Sequence, residues 1–235
     1  MRRVEGMKRS ILCLAVLVLF TGAAAAGELT VTFIGNMAFH ITDGETTLLS
    51  DFPYRSGAYG YMEYDMDDVP PIKNGVSLIT HSHGDHWYKD QFAKMDLSVI
   101  GPTSVTNKVD PKKIVPFDPD GPMTFRDIEV QAIEMPHKLS PQHYSYLVTW
   151  HGLRLYFPGD TETPADMLHR KDIDIMFISP WLIRTIERQD LTLDTKVLVV
   201  YHQKIGEEFP PFQDYKRMKQ GESFTMEFEA LVPAG

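Results

Sequence analysis

The chain has 235 residues, with 23 Lys and Arg, 32 Asp and Glu, and a formal net charge of −9 at pH 7. An acidic chain is repelled by nucleic-acid phosphates, so we expect no nucleic-acid partner. The single cysteine is Cys13, which excludes disulfides and a thiol-based active site from the rest of the chain.

The first 26 residues have the pattern of a secretory signal peptide. Basic residues precede an apolar run over residues 11–20, and small residues follow it up to Ala26. The run is too short for a membrane anchor. We therefore predict cleavage after Ala26, export to the periplasm or the medium, and no stable membrane anchor afterwards. Residues 27–235 are then one domain with 19 basic and 31 acidic residues, a net charge of −12.

Apolar patterns predict a chain rich in β-strands. The predicted extended segments are residues 29–34, 38–42, 46–52, 76–80, 97–100, 113–117, 125–135, 144–150, 153–157, 173–178 and 197–201. Short helices are predicted over 87–95 and 164–170. Residues 54–72 are rich in Tyr, Pro and acids without any period, so they are predicted to be a loop. This loop either lines a substrate pocket or packs on the sheet. Residues 29–157 and 173–227 are predicted to be two β-rich halves of the domain.

The densest group of potential metal ligands directly follows the predicted strand 76–80. Residues 81–86 read His-x-His-x-Asp-His and hold three imidazoles and a carboxylate. Residues two apart point the same way in an extended loop, so His81 and His83 can hold one cation. Asp85 and His86 can face a second cation beside it. These nitrogen and oxygen donors suit zinc, manganese or iron.

This motif resembles the signature of the metallo-β-lactamase superfamily. The resemblance implies the α+β class, as a four-layer αβ/βα sandwich with a dinuclear metal site along one edge of the facing sheets. It also implies the remaining ligands, which follow predicted strands: His137, the bridging carboxylate Asp160 in Pro-Gly-Asp-Thr, and His202. His143 is the alternative third histidine ligand, and we favour His137 because ligands cluster at strand ends.

The start of the domain is similar to the L-ascorbate-6-phosphate lactonase-like branch of that superfamily. Both have a Gly-rich turn, a hairpin and a strand that ends in an aspartate, here Asp51. In that branch the aspartate supports the metal ligands; the alternative role is a strand-end carboxylate bonded to a turn. Asn36 stands where the branch often carries a histidine. His40, His151 and His169 are not placed as ligands.

These features predict an exported hydrolase with a small-molecule substrate and two divalent metal ions, zinc first and manganese or iron as alternatives. Two cations about 3.5–4 Å apart lower the pKa of a bridging water, and the metal-bound hydroxide would attack an ester, lactone or phosphodiester. Asp85, which orients this nucleophile, and the bridging Asp160 are the predicted catalytic residues. For Tyr201, Lys204 and Arg184, substrate contact and a plain surface position are both open. The competing hypothesis is a non-catalytic module that binds metal or a small ligand on the same fold.

Overall fold

The computed structural model describes residues 26–208 and 212–229, so the predicted signal peptide, apart from Ala26, lies outside the described residues. The strands in chain order are β1 (Ala26–Gly35), β2 (Ala38–Thr42), β3 (Thr47–Ser50), β4 (Gly75–Leu78), β5 (Leu97–Ile100), β6 (Pro122–Phe125), β7 (Ile128–Glu134), β8 (Tyr144–Trp150), β9 (Leu153–Phe157), β10 (Ile173–Ile178), β11 (Thr195–Val200), β12 (Tyr215–Arg217) and β13 (Ser223–Glu229). The α-helices are α1 (Lys89–Phe92), α2 (Thr103–Thr106), α3 (Ala165–His169) and α4 (Pro180–Arg188). Within the described part of the chain, no helix has the length and apolar character needed to span a membrane.

The strands form two mixed sheets. The first has the order β13-β1-β2-β3-β4-β5, and the second has the order β12-β11-β10-β9-β8-β7-β6. In the first sheet β3, β4 and β5 are parallel, and in the second β9 to β12 are parallel. Strand β7 runs in the same direction as β9, because both are antiparallel to β8. The carboxyl ends of several strands from both sheets therefore lie along one edge.

Helices cover the outer faces of the two sheets. Between the sheets, aromatic side chains interlock, with the ring centroids of Phe39 and Phe177 4.7 Å apart. Outside the second sheet, α4 buries Leu182 and Ile186 against Met176. Outside the first sheet, α1, α2 and the 54–72 loop cover a second apolar layer. Burial of each such side chain contributes about 1.5–3 kcal/mol. This layering confirms the predicted four-layer αβ/βα sandwich.

The division of the chain between the sheets differs from the predicted halves, and that prediction is wrong. The first sheet ends with β5 and the second begins with β6, while β13 returns to pair antiparallel with β1. An unpaired β1 would expose its backbone N–H and C=O groups at a sheet edge. Strand β13 covers that edge, so the C-terminal segment completes the first sheet.

Two local predictions also change, and helix α4 was not predicted. The predicted strand 125–135 is divided, because the chain turns at Arg126 (φ 55°) and β6 pairs antiparallel with β7. Of the predicted segment 113–117, Ile114 forms a single bridge to Val99. Helix α4 is absent from the predicted elements, although Ser179 before Pro180 is typical of a helix start.

Candidate metal centre

The predicted ligands meet at the edge where strands of both sheets end. Loop 81–86 follows β4, His137 follows β7, Asp160 follows β9 and His202 follows β11. Strands in the same direction end at the same edge, so residues far apart in the sequence lie close together there. The structure brings together all seven predicted ligands.

The first ligand group contains His81, His83 and His137, with one ring nitrogen of each within 4.8 Å of the others. His81 Nε2 lies 2.8 Å from His83 Nδ1. His83 Nε2 donates to the carbonyl of Leu139 at 3.1 Å, which leaves Nδ1 free to face the group. Both ring nitrogens of His137 are buried without a hydrogen-bond partner.

The second ligand group contains Asp85, His86, Asp160 and His202. His202 Nε2 lies 3.4 Å from Asp85 Oδ2 and 3.2 Å from Asp160 Oδ1. His86 Nε2 lies 3.1 Å from Asp160 Oδ2 and 3.6 Å from Asp85 Oδ2. Asp160 Oδ2 is also 3.9 Å from Nε2 of His81 in the first group. The carboxylate of Asp160 therefore stands between the two groups, as a bridging ligand must.

The electrostatics of these buried residues fit divalent cations. Burial lowers the pKa of His81 and His137, which keeps both imidazoles neutral. Burial opposes ionisation of Asp160, but His202 and His86 hold the pKa of its carboxyl well below the usual range. Burial also opposes charge on His86, yet Asp160 and Asp51 raise the pKa of its imidazole well above the usual value. A cation and these protons compete for the same nitrogens, so metal affinity should rise with pH.

Several donor atoms at this edge are buried without a hydrogen-bond partner: Nε2 of His86, Nδ1 and Nε2 of His137, Nδ1 and Nε2 of His202, and Oδ1 of Asp160. An unsatisfied buried polar atom destabilises a fold by about 1–3 kcal/mol, so such a convergence needs a physical reason. Metal coordination provides one. The mixture of imidazole and carboxylate donors matches zinc and other first-row divalent metals.

Asp51 holds the ligand loop from behind. Its Oδ1 accepts the backbone N–H of Thr80 at 2.8 Å, and its Oδ2 lies 3.1 Å from His86 Nδ1. The hydroxyl of Thr80 bonds to Asp51 Oδ2 at 3.0 Å and lies 3.0 Å from His81 Nδ1. These bonds turn the Nε2 atoms of both histidines towards the centre. The geometry favours the supporting role of Asp51 implied by the resemblance.

His143 lies behind Asp160 rather than among the ligands. Its Nε2 accepts the backbone N–H of Asp160 at 2.8 Å, and its Nδ1 donates to the carbonyl of Met135 at 3.2 Å. Burial lowers the pKa of His143 to about 4, so the ring is neutral. Gly159, with φ 64°, allows this approach, since a Cβ there would overlap His143 Nε2. Both nitrogens of His143 are occupied, which favours His137 as the third histidine ligand.

Asn36 is a site residue whose role the sequence does not indicate. Its side-chain Nδ2 donates to the backbone carbonyl of Asp85 at 2.8 Å, and its backbone carbonyl accepts the N–H of His202 at 2.8 Å. Asn36 thus ties two ligand segments together from the turn between β1 and β2. The positive φ of 52° at this turn is one that Asn tolerates better than most residues. The Gly35-Asn36 pair in the sequence indicates the turn, but nothing in the sequence indicates these two hydrogen bonds.

The 54–72 loop packs on the sheet, as one of its two alternative predictions has it, and it also contacts the ligand His202. Tyr54 is buried and its hydroxyl donates to the carbonyl of Met62 at 2.9 Å, while the Tyr64 ring packs 4.7 Å from that of Tyr54. Tyr61 reaches the centre, where its ring centroid lies 4.3 Å from that of His202. The loop is therefore fixed on the sheet at its base and lines the site at its tip.

A small pocket opens beside the centre. Its volume is about 290 Å³, and it is lined by His137, Asp160, Glu162, Trp181 and Thr185. The Trp181 ring lies 5.0 Å from that of His202, and its Nε1 donates to the carbonyl of Thr161 at 2.9 Å. Trp181 belongs to α4, which was not predicted, so sequence analysis missed this pocket wall.

The other histidines lie away from the ligand groups. His40 is buried with Nε2 3.2 Å from the carbonyl of Pro71. His151, in the β8–β9 turn at the opposite edge, has Nε2 2.9 Å from Asp43 Oδ2 and 3.3 Å from Asp127 Oδ2. His169 is the last residue of α3.

The three potential substrate contacts have different positions. Tyr201 is buried and its hydroxyl donates to the carbonyl of Gly159 at 3.0 Å, so it supports the turn before Asp160. Arg184 pairs with Glu207 at 3.1 Å. Lys204 is exposed, with Nζ 5.8 Å from the centroid of the Tyr61 ring. Lys204 thus lies beside Tyr61, whose ring contacts His202.

Sequence comparison relates this chain to one protein family and to a known relative. Residues 30–191 match the β-lactamase superfamily domain. A UPF0173 metal-dependent hydrolase from Ruegeria sp. (strain TM1040) is 26% identical over 150 residues, which cover 57% of this chain and 64% of that protein. The chain thus matches less than two thirds of that relative's length. This relative does not single out the lactonase-like branch, which stays a prediction.

Solved structures share the fold. Igni18, a metallo hydrolase from the archaeon Ignicoccus hospitalis, has a TM-score of 0.63 at 15% identity, over 86% of this chain and 99% of that one. The metallo-β-lactamase fold protein YhfI from Bacillus subtilis has a TM-score of 0.57 at 13% identity, with the same coverage of 86% and 99%. Identities this low show the fold alone. Together with the match over residues 30–191, they show that the chain belongs to the β-lactamase superfamily and has the metallo-β-lactamase fold.

Proposed function

We propose that the protein is an exported metal-dependent hydrolase that holds two divalent cations and cleaves an ester, lactone or phosphodiester bond in a small molecule. The observation that carries this proposal is the convergence of unpartnered, buried donor atoms on Asp160 from both sheets. The relative from Ruegeria, named a metal-dependent hydrolase, supports the same class of activity. Export rests on the N-terminal sequence pattern.

His81, His83 and His137 would hold one cation, and Asp85, His86 and His202 the other, with Asp160 between them. When bound, such a pair of cations polarises the substrate carbonyl or phosphoryl group and acidifies a water molecule. We propose zinc first, because this set of imidazole and carboxylate donors suits it, and manganese or iron as alternatives.

The protein's own residues position the reactants. Asp85 is buried at the centre, and despite burial the His202 imidazole, whose Nε2 lies 3.4 Å away, keeps the pKa of its carboxyl below the usual value. Its ionised carboxylate therefore orients the attacking water and accepts a proton at a carboxylate oxygen. Tyr61 and Trp181, on two sides of His202, exclude bulk water from the mouth.

The pocket beside the centre favours uncharged substrates. Trp181 offers an aromatic wall, whereas Glu162 places a carboxylate 3.7 Å from His137 Nδ1. A negative charge at the wall disfavours a substrate group of the same sign. We therefore rank uncharged esters and lactones before phosphodiesters.

Metal analysis with a substrate panel tests this proposal. The purified protein is reconstituted with zinc or manganese, and bound metal is counted by mass spectrometry. Lactones, carboxyl esters, phosphodiesters, thioesters and β-lactams are then offered. We expect two equivalents of metal and hydrolysis that a chelator abolishes. His83→Ala should lose metal and turnover, whereas His169→Ala, an exposed histidine outside the site, should keep both.

Two results would contradict the proposal. Protein that takes up no divalent metal after reconstitution excludes a metal-dependent hydrolase. Protein that binds two equivalents and turns over no class in the panel favours the competing hypothesis, a non-catalytic module that binds metal or a small ligand.

A further inference from the structure

The large exposed apolar side chains in the described part of the chain lie on segments around one site. Among the described residues, the large hydrophobic or aromatic side chains with the greatest exposure are Tyr59 (66%), Tyr88 (36%), Leu139 (79%) and Ile205 (80%). Each lies on a segment that adjoins the metal centre. Tyr88 and Leu139 follow the ligands His86 and His137 by two residues, Ile205 follows His202 by three, and Tyr59 belongs to the 54–72 loop.

Direct contacts bring these segments together at the mouth. The carbonyl of Leu139 accepts a hydrogen bond from the ligand His83 at 3.1 Å. The backbone N–H of Arg55 donates to the carbonyl of Gly84 at 2.7 Å, which joins the Tyr59 loop to the ligand loop. The same loop reaches the Ile205 segment through the Tyr61–His202 ring contact of 4.3 Å. The segments that carry the exposed side chains therefore meet at one opening.

A basic residue accompanies each of the three most exposed tips. The Arg55 guanidinium carbon lies 6.0 Å from the centroid of the Tyr59 ring. Lys138 directly precedes Leu139, Lys204 directly precedes Ile205, and all three basic side chains are exposed.

Two acids lie near these side chains. Glu207 is paired with Arg184 at 3.1 Å, and Glu162 lies against His137 at 3.7 Å. Three exposed basic side chains thus accompany the apolar tips, although the whole chain carries a net charge of −9.

We propose that this rim, formed by Tyr59, Leu139 and Ile205 with Arg55, Lys138 and Lys204, docks reversibly on a lipid bilayer that contains anionic phospholipids. Apolar tips enter the boundary between headgroups and acyl chains, and basic side chains bind lipid phosphates. The mouth of the metal centre then faces the membrane, so amphiphilic molecules in the bilayer reach it without crossing water. This peripheral contact differs from an anchor, because only side chains enter the bilayer.

The charge of the rim favours a lipid surface over a second copy of the chain. A twofold dimer through this rim would bring the same basic residues against each other. Like charges in that arrangement oppose association, whereas an anionic bilayer attracts them.

Vesicle binding tests the proposal. The exported, processed protein is used, with its N-terminus read by mass spectrometry, because the apolar run over residues 11–20 would bind lipid by itself. Co-sedimentation is measured with vesicles of phosphatidylcholine alone and with added phosphatidylglycerol. We expect binding to the anionic vesicles that weakens as salt is raised from about 0.1 M to about 1 M.

Rim variants identify the contact. Leu139→Ser and Ile205→Ser should each weaken binding by on the order of tenfold if the side chain is buried in lipid. Lys138→Gln and Lys204→Gln should each weaken it by about fivefold. The control is Lys171→Gln, an exposed lysine before β10 at the opposite edge, which should bind like the parent. Thermal unfolding of each variant checks that the fold is retained.

The proposal is overturned if the parent protein binds neither kind of vesicle, or if the rim variants and Lys171→Gln bind equally well. It is also overturned if sedimentation velocity shows a dimer that the rim variants dissociate while vesicles are not bound. That result would assign the rim to a second copy. Because vesicle binding needs no turnover, this outcome is independent of the hydrolase proposal.

Discussion

His143 Nε2 accepts the backbone N–H of Asp160 at 2.8 Å, and this bond fixes the carboxylate that stands between the two ligand groups. The opposite ring nitrogen donates to the carbonyl of Met135, so the neutral tautomer is set by the backbone on both sides. A histidine with both ring nitrogens engaged in this way is placed to support the centre rather than to hold a metal. The two histidines of this region, His137 and His143, therefore have separable roles.

Replacing each histidine should separate these roles. His137→Ala removes a donor from the first group, so metal should be lost there. His143→Ala keeps all three histidine ligands but frees Asp160, and we expect metal affinity to fall by about 10–100-fold, mainly at the second group. His143→Gln retains an acceptor and should restore part of the affinity. Titration with a competing chelator measures both sites; loss of the three-histidine site in His143→Ala alone would reverse the assignment.

Asp160→Asn preserves size but removes the charge that faces both groups. Because Asp160 Oδ1 and Oδ2 lie 3.2 Å and 3.1 Å from His202 and His86, we expect the second group to lose metal most. Hydrolysis should fall on the order of a thousandfold, since an organised nucleophile and charge stabilisation are lost together. Metal counting and steady-state rates on the best panel substrate check this. Parental rates with parental metal content would show that Asp160 is only a turn residue.

Gly159→Ala should disturb the centre through His143. The residue has φ 64°, and a Cβ there would overlap His143 Nε2. Gly152→Ala is the matched control, with φ 82° and no atom within 4 Å of the added Cβ. Each substitution should destabilise the fold by roughly 1–3 kcal/mol through backbone strain. Urea unfolding should show a larger loss for Gly159→Ala, and that variant alone should bind metal more weakly; equal effects would contradict the contact.

Asp51→Asn should weaken metal binding without touching a ligand. Asp51 Oδ2 lies 3.1 Å from His86 Nδ1, so the neutral amide would leave that imidazole poorly oriented. We expect a 10–100-fold loss of metal affinity, typical of a removed carboxylate behind a ligating histidine. Asp43→Asn alters a similar pair, 2.9 Å from His151 at the opposite edge, and should leave metal affinity unchanged. If Asp51→Asn binds metal as tightly as the parent protein, Asp51 acts only as a turn residue.

The stability of the metal-free protein should depend on His143 below neutral pH. Burial lowers the pKa of His143 from 6.5 to about 4, so the unfolded chain binds more protons between these values. Stability from this group is therefore complete above pH 6.5 and is lost as the pH falls towards 4, by up to about 3 kcal/mol. Urea unfolding of the parent and His143→Gln across this range isolates the effect, because contributions of opposite sign from His86 and His202 are common to both. Parallel curves for the two proteins would contradict the shifted pKa.

The sequence by itself determined the superfamily, the layered fold and the seven grouped donors. Each of these depends on local order: an apolar run forms a strand, and ligand types such as His81 and His202 follow directly after strands. The sequence also indicated that Asp51 lies near the ligands, because a carboxylate at the end of one strand lies next to the residues that follow the neighbouring strand.

The tertiary structure alone decided how the chain divides between the sheets and how the centre is supported. Strand β13 returns across the whole chain to cover β1, and Asn36 joins the segments of Asp85 and His202. The choice between His137 and His143 rests on the Asp160 N–H, and the wall formed by Trp181 rests on the packing of α4. These outcomes depend on hydrogen bonds and packing between residues far apart in the chain, whose partners no local pattern specifies.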